Sequence, residues 1–153
     1  MKSNVFEDDI IILIKLVNKE LKADFDQRLN EYGLTSQQGR LLFFINGKVN
    51  FDNDEVHQND IEKKFHLSKS TVSGLVTRLI KTGYIEKEIK PPYCNLKPTE
   101  KGEAIVDEII KKRKCTLNKL LKGFNKEEKD YVMTILKKLL FNMKGENENV
   151  AKD

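Results

Sequence analysis

The sequence predicts a mainly α-helical protein with one small β-wing, arranged as a winged helix-turn-helix between long N- and C-terminal helices. Two observations predict this arrangement. Residues 60–80 contain two short helical patterns of apolar residues joined by a tight turn. Residues 84–97 then hold two alternating segments on either side of Pro91 and Pro92, which is typical of a hairpin. With 153 residues, the chain is treated as a single domain over 1–153.

The first predicted element is a long helix from Phe6 to about Tyr32, which Gly33 ends. Its apolar residues recur in steps of three and four, and a second set widens the stripe: Ile11, Ile12, Leu13 and Leu16. A helix that is apolar on more than one side requires more than one neighbour. In a chain of this length, a second subunit can supply that neighbour.

The second helix is predicted to begin after Thr35 and to end near Ile45. Thr35 and Gln38 have the spacing of a capping box, in which each side chain satisfies the other residue's backbone amide. Residues 46–56 are rich in turn formers and acidic side chains, so we expect a polar loop there.

The helix-turn-helix is predicted as a third helix over 58–65 and a fourth over 68–82. Ser68 is a preferred N-cap residue, and Gly83 ends the fourth helix. We expect Gly74 to allow a close approach between helices. Six apolar side chains are predicted to form the core of this motif: Ile61, Phe65, Leu67, Val72, Leu75 and Leu79.

The wing is predicted as strands over 84–89 and 94–97, with residues 90–93 at its tip. Two more helices follow: Thr99 caps the fifth, and Asn125 caps the sixth after a break at Gly123. We expect residues 145–153 to form a disordered tail, because they are polar and terminal.

The fourth helix carries the side chains expected of a helix that reads DNA. Short hydroxyl groups and one lysine occupy its first turn, and that turn of a recognition helix meets base edges in the major groove. Ordinary solvated residues are the alternative, but five Ser or Thr residues between positions 68 and 77 lower helix propensity. We therefore predict double-stranded DNA as the partner. The candidate DNA-binding residues are Gln58, Ser68, Lys69, Ser70, Thr71, Ser73, Thr77, Arg78, Lys87 and Lys90.

Charge favours this interpretation mildly. The net charge is +4, and residues 57–102 contain nine Lys or Arg against five Asp or Glu. In the wing, Lys87, Lys90 and Lys97 could contact the DNA backbone or the minor groove. The alternative for these three lysines is a solvated, lysine-rich hairpin.

The pattern resembles the MarR (multiple antibiotic resistance regulator) family of winged-helix regulators. The resemblance rests on Leu34 and Thr35, on residues 60–85 and on residues 96–102, which follow the wing. It implies a homodimer formed by helices at 6–33 and 100–143, with the winged helix-turn-helix at 34–99. It also implies repression, less often activation, at pseudo-palindromic operators, with control by small phenolic or lipophilic effectors, oxidants or metals.

The sequence departs from the family pattern in three places. The wing tip contains no arginine, so Lys90 is the candidate for minor-groove contact. Glu62 and His66 replace a usual small residue and a usual turn glycine. The loop at 46–56 is longer than usual, and its acidity indicates that it avoids DNA.

Several other classes of protein are disfavoured. The sequence has no phosphate-binding glycine loop and no hydrolase or metalloprotease motif, so we predict no enzyme activity, no catalytic residues and no cofactor. His57 and His66 lack metal-ligand spacing with either cysteine, so no metal is expected. Cys94 and Cys115 form no disulfide framework, although Cys94 could sense oxidants. No segment is long enough to span a membrane, and we expect a cytoplasmic protein.

Two rival functions stay open. One is a winged-helix module that binds another protein without specific DNA binding. The other is an enzyme or carrier that uses a pocket between helices. Salt-sensitive binding to duplex DNA would separate the predicted regulator from the first rival. A ligand that leaves DNA affinity unchanged would be the mark of the second.

Overall fold

The computed structural model describes residues 9–148 and confirms a mainly α-helical fold with a two-stranded wing. The elements in chain order are α1 (Ile10–Glu31), α2 (Ser36–Asn50), α3 (Gln58–Phe65), α4 (Lys69–Lys81), β1 (Ile85–Lys90), β2 (Tyr93–Pro98), α5 (Glu100–Leu120) and α6 (Lys126–Glu148). The start of the predicted first helix, residues 6–8, lies outside the described residues.

The chain divides into two compact units, one ending at Lys114 and one beginning at Cys115, within α5. The hydrophobic core lies in the first unit, where α2, the helix-turn-helix and the wing pack together. Of the predicted motif core, Phe65 and Leu67 are half-buried, and four side chains are buried: Ile61, Val72, Leu75 and Leu79. Val76, which was not in the predicted set, is buried with them.

Local caps form as the sequence predicts. Thr35 and Gln38 make the capping box of α2, with the Gln38 side chain accepting the Thr35 N–H at 3.0 Å. Gly33 has a φ of 68°, which lets the chain turn after α1. Thr99 accepts the Gly102 N–H at 3.1 Å and so caps α5, while Lys101 donates to the Thr82 carbonyl at 2.8 Å.

Helix α2 runs to Asn50, so the predicted end near Ile45 and the predicted loop at 46–56 are wrong in part. Asn46 is buried, and its side chain accepts a hydrogen bond from the Asn50 amide at 2.9 Å. The same amide donates to Glu103 on α5 at 3.0 Å. These bonds satisfy the polar side chains of Asn46 and Asn50 within α2. The prediction of a loop there was based on the polar residues, which in the structure belong to the helix. The loop is limited to residues 51–57.

The predicted role of Gly74 is also wrong. Gly74 lies on the exposed side of α4, and apart from its own stretch of helix no part of the described chain lies within 4 Å of the place where its Cβ would sit. No other helix approaches closely there. The close approaches occur at Gly39, which faces Leu29, and at Gly102.

The wing is an antiparallel hairpin with a two-residue tip. Its register runs from Ile85 opposite Pro98 to Lys90 opposite Tyr93, which leaves Pro91 and Pro92 as the turn. The strands are one residue longer at the tip than predicted. The Leu96 N–H also donates to the Val56 carbonyl at 2.7 Å, so the 51–57 segment lies along β2.

The second unit consists of the end of α5 and helix α6. Asn125 and Glu128 form a reciprocal capping box at the start of α6, as the sequence predicts for Asn125. Helix α6 continues through Glu148, past residue 145, where the tail was predicted to begin. One glycine costs a helix only about 1 kcal/mol and no proline follows, so the helix can continue. Residues 149–153 lie outside the described range. None of the helices in that range is long and apolar enough to cross a membrane.

Candidate nucleic-acid interface

Helix α4 has one buried side and one open side. Val72, Leu75, Val76 and Leu79 anchor it in the core. The opposite side contains the predicted reading residues, and all of them are exposed: Lys69, Ser70, Thr71, Ser73, Thr77 and Arg78. The helix is therefore held rigidly from behind while its polar side faces outward.

A small hydroxyl cluster fixes the start of α4. The Ser68 Oγ accepts the Thr71 N–H at 3.3 Å, which is the capping bond. It also lies 2.8 Å from the Thr71 hydroxyl and 3.1 Å from the Ser70 hydroxyl. Ser68 thus serves first as a cap, and Ser70 and Thr71 share its hydroxyl.

The remaining polar side chains of α4 make no such bonds. Among residues 9–148, Lys69, Ser73, Thr77 and Arg78 have no side-chain hydrogen bond or ion pair. Their donors and acceptors are open to a ligand. This is the arrangement that base and phosphate contacts need.

The turn between α3 and α4 depends on His66. This residue adopts a left-handed conformation, with φ 53° and ψ 43°, which residues other than glycine adopt infrequently. Its backbone N–H bonds to the Glu62 carbonyl. Phe65 packs edge-to-face against Phe44 at 5.5 Å, which ties α3 to α2. Gln58, a predicted DNA contact, is the first residue of α3 and is half-buried.

The wing lysines differ from one another. Lys87 is exposed and has no ion pair within the described chain. Lys90 Nζ lies 3.3 Å from Glu55 and 3.4 Å from Glu88. Lys97 Nζ lies 3.4 Å from Glu86 and 3.8 Å from Glu88. Of the three, only Lys87 presents an unpaired charge.

The pKa shifts of Glu55 and Lys90 agree with these ion pairs. The pKa of Glu55 lies below its usual value because Asn95 donates a hydrogen bond to its carboxylate and Lys90 pairs with it. The pKa of Lys90 is raised because Glu55 and Glu88 accept its hydrogen bonds. Glu55 and Lys90 are therefore both charged at neutral pH.

The 51–57 segment reaches the wing through a second contact. The His57 Nδ1 donates to the Cys94 carbonyl at 3.2 Å, and its ring lies 5.5 Å from that of Tyr93. Glu55 was missed as a functional candidate, because nothing in the sequence indicates that it meets Lys90, 35 residues away.

The structure also shows where possible metal ligands and the two cysteines lie within residues 9–148. No group of three or more His, Cys, Asp or Glu residues could hold a metal ion there. Cys94 is half-buried and Cys115 is exposed, and both are free thiols.

Comparison with known proteins identifies the family. A Clostridium acetobutylicum protein of solved structure, assigned to the MarR family of transcriptional regulators, is 32% identical to this chain. The alignment covers 85% of this chain and 95% of that protein, with a TM-score of 0.69. This chain belongs to the MarR family. The family model described as "MarR family" matches residues 32–92, which span α2, the helix-turn-helix, the whole of β1 and the wing tip.

Two further proteins are similar to this chain, the first in structure and the second in sequence. MepR, a transcription regulator of the Staphylococcus aureus multidrug efflux pump MepA, is 24% identical over 88% of this chain and 98% of MepR, with a TM-score of 0.78. An uncharacterized HTH-type transcriptional regulator, YybA of Bacillus subtilis (strain 168), is 22% identical over 95% of both chains. MarR family transcriptional regulators are DNA-binding proteins and not enzymes, so membership confirms the predicted class.

Proposed function

We propose that this MarR family protein is a homodimeric repressor that inserts helix α4 of each subunit into the major groove of a pseudo-palindromic operator. The observation that carries the proposal is the open polar side of α4, backed by a fully buried apolar side. Two-fold symmetry would set the half-sites about one helical turn, roughly 10 bp, apart.

The proposed contacts divide by chemistry. Ser70, Thr71 and Ser73 suit base edges, because short hydroxyl groups can donate or accept. Lys69 can pair with guanine or phosphate, whereas Arg78 and Thr77 lie further along α4 and suit the phosphate backbone. We retain Lys87 as the contact from the wing, because its charge is unpaired within the described chain. We retain as weaker candidates Gln58, Ser68 and Lys90. Gln58 is half-buried, Ser68 is occupied as a cap, and Lys90 is held by carboxylates.

Exposed apolar side chains support the homodimer. On α1, Ile10 is 67% exposed and Ile11 is 63% exposed, although both are large aliphatic residues. On α6, Phe141 is 74% exposed and Met143 is 77% exposed. Patches of this kind mark interaction surfaces in soluble proteins. We therefore propose that 6–33 and 100–143 are dimerisation helices and that 34–99 is the DNA-binding part, acting in the cytoplasm.

Release by a small-molecule effector is proposed from the family resemblance alone. The direct test of the main proposal is selection of bound fragments from random duplex DNA by the full chain. We expect an enriched inverted repeat whose affinity falls steeply with salt, because phosphate contacts release counterions. Absence of any salt-sensitive binding would reject the proposal and favour a protein-interaction module.

A further inference from the structure

The basic residue at the wing tip is already engaged by acidic groups of the same chain. Lys90 is the last residue of β1, and its Nζ lies 3.3 Å from Glu55 and 3.4 Å from Glu88. We propose that Glu55 is a positioning residue that holds Lys90 away from DNA and thereby lowers the affinity and the salt dependence of operator binding. This inference rests on the proposed function.

Glu55 is held at the wing by its neighbours in sequence. Val56 is almost completely buried, and its carbonyl accepts the Leu96 N–H of β2 at 2.7 Å. His57, the next residue along the chain, donates to the Cys94 carbonyl at 3.2 Å. Because the two residues that follow Glu55 are fixed to β2, the Glu55 carboxylate is kept beside the wing tip. Its depressed pKa fits a carboxylate that stays ionised there.

The arrangement leaves the tip short of positive charge. Glu86, Glu88 and Lys90 alternate along β1 and so project from one face of the hairpin. Lys97 stands opposite Glu86 in the register and pairs with it. Together with Glu55, three carboxylates share two ammonium groups. A phosphate that approached Lys90 would therefore meet a surface without net positive charge.

The ion pair between Lys90 and Glu55 can open in water. Both side chains of the Lys90–Glu55 pair are more than half exposed, and exposed ion pairs are weak in water. DNA phosphates can therefore compete for Lys90, but each such contact must first break an existing pair. The wing then contributes less to binding than its lysine content suggests.

The test compares Glu55→Gln with Asp52→Asn. Both variants remove one negative charge from the same exposed segment, but Asp52 pairs with Lys48 at 3.0 Å rather than with the wing. Binding of the full-length protein to its selected duplex is measured by fluorescence anisotropy from 0.05 to 0.3 M salt. Circular dichroism checks that both variants are folded.

We expect Glu55→Gln to steepen the slope of log K against log salt by about 0.9, as one added phosphate contact does. Affinity at 0.1 M salt should rise at least about threefold over Asp52→Asn. When each variant is combined with Lys90→Met, Glu55→Gln and Asp52→Asn should bind the duplex with the same affinity and the same salt slope. A merely structural role for Glu55 would leave the salt slope unchanged.

Failure of this inference and failure of the proposed function would give different binding results. If the wild-type protein binds duplex DNA but Glu55→Gln and Asp52→Asn have the same slope and affinity, this inference is overturned and the proposed function stands. A gain from Glu55→Gln that persists with Lys90→Met also overturns it. If the wild-type protein binds no duplex at all, the proposed function fails and this inference fails with it.

Discussion

The backbone carbonyl oxygen of Tyr84 occupies the space that a Cβ atom on Gly102 would need. This approach joins the residue before β1 to the first turn of α5. Thr99 reinforces the junction, because its hydroxyl donates to the Gly83 carbonyl and accepts the Gly102 N–H. The wing and α5 are therefore locked to the end of α4 at a point where only glycine fits.

The first prediction concerns that junction. Gly102→Ala should lower the free energy of unfolding by about 1–3 kcal/mol, because the added methyl group meets backbone that must shift. Urea unfolding followed by circular dichroism measures the change. Gly47→Ala is the matched control: it lies in α2 with nothing within 4 Å of the new Cβ, so it should be neutral or stabilising. Equal stability of the two variants would contradict the proposed crowding.

Features set by local hydrogen bonds could be predicted from the sequence. The Thr35–Gln38 box and the Ser68 cap join residues three apart, so spacing alone indicates them. The end of α2 could not be predicted in the same way, because Asn50 bonds to Glu103, 53 residues away. Gly102 was part of a recognised segment, but its need for glycine depends on Tyr84 in another element.

The candidate interface also combines features that depend on local spacing, which the sequence predicts, with features that depend on distant contacts. Apolar spacing in α4 predicts which side is buried, and therefore that Ser73, Thr77 and Arg78 face outward. The ion pairs of the wing lysines could not be predicted, because the sequence shows their charge but not the carboxylates that they meet. Whether a lysine is available to DNA depends on the carboxylates that the fold brings to it, as Glu55 and Lys90 demonstrate.

The second prediction separates capping from DNA contact at the start of α4. Ser68→Ala should lower stability by about 1 kcal/mol, because the Thr71 N–H loses its partner. Ser73→Ala should change stability by less than about 0.5 kcal/mol, since its exposed hydroxyl bonds to nothing in the described chain. Thermal melting of both variants measures the contribution of each hydroxyl group to stability. DNA titration of the same variants measures its contribution to binding. Loss of DNA affinity only in Ser68→Ala would remove Ser73 from the interface.

The third prediction concerns the phosphate contacts of α4. Lys69→Ala and Arg78→Ala should each weaken binding to all duplexes and reduce the salt slope by about 1. Neither should destabilise the fold, because both side chains are exposed and unpaired within residues 9–148. Lys122→Ala, in the exposed connection between α5 and α6, is a control with the same change of charge. If Lys122→Ala weakens binding as strongly as the α4 variants do, the effect is one of net charge and α4 is not the reader.

The fourth prediction tests the homodimer. Sedimentation at micromolar concentration should give a particle of twice the chain mass of 17.8 kDa. Phe141→Glu should shift that particle towards a monomer, because a charge placed in an apolar interface loses its hydration. Phe51→Glu is the matched control: Phe51 is 78% exposed, close to the 74% of Phe141, but it lies in the 51–57 loop outside the terminal helices. A wild-type monomer, or equal dissociation by both variants, would remove α6 from the proposed interface and leave its apolar side chains to another partner.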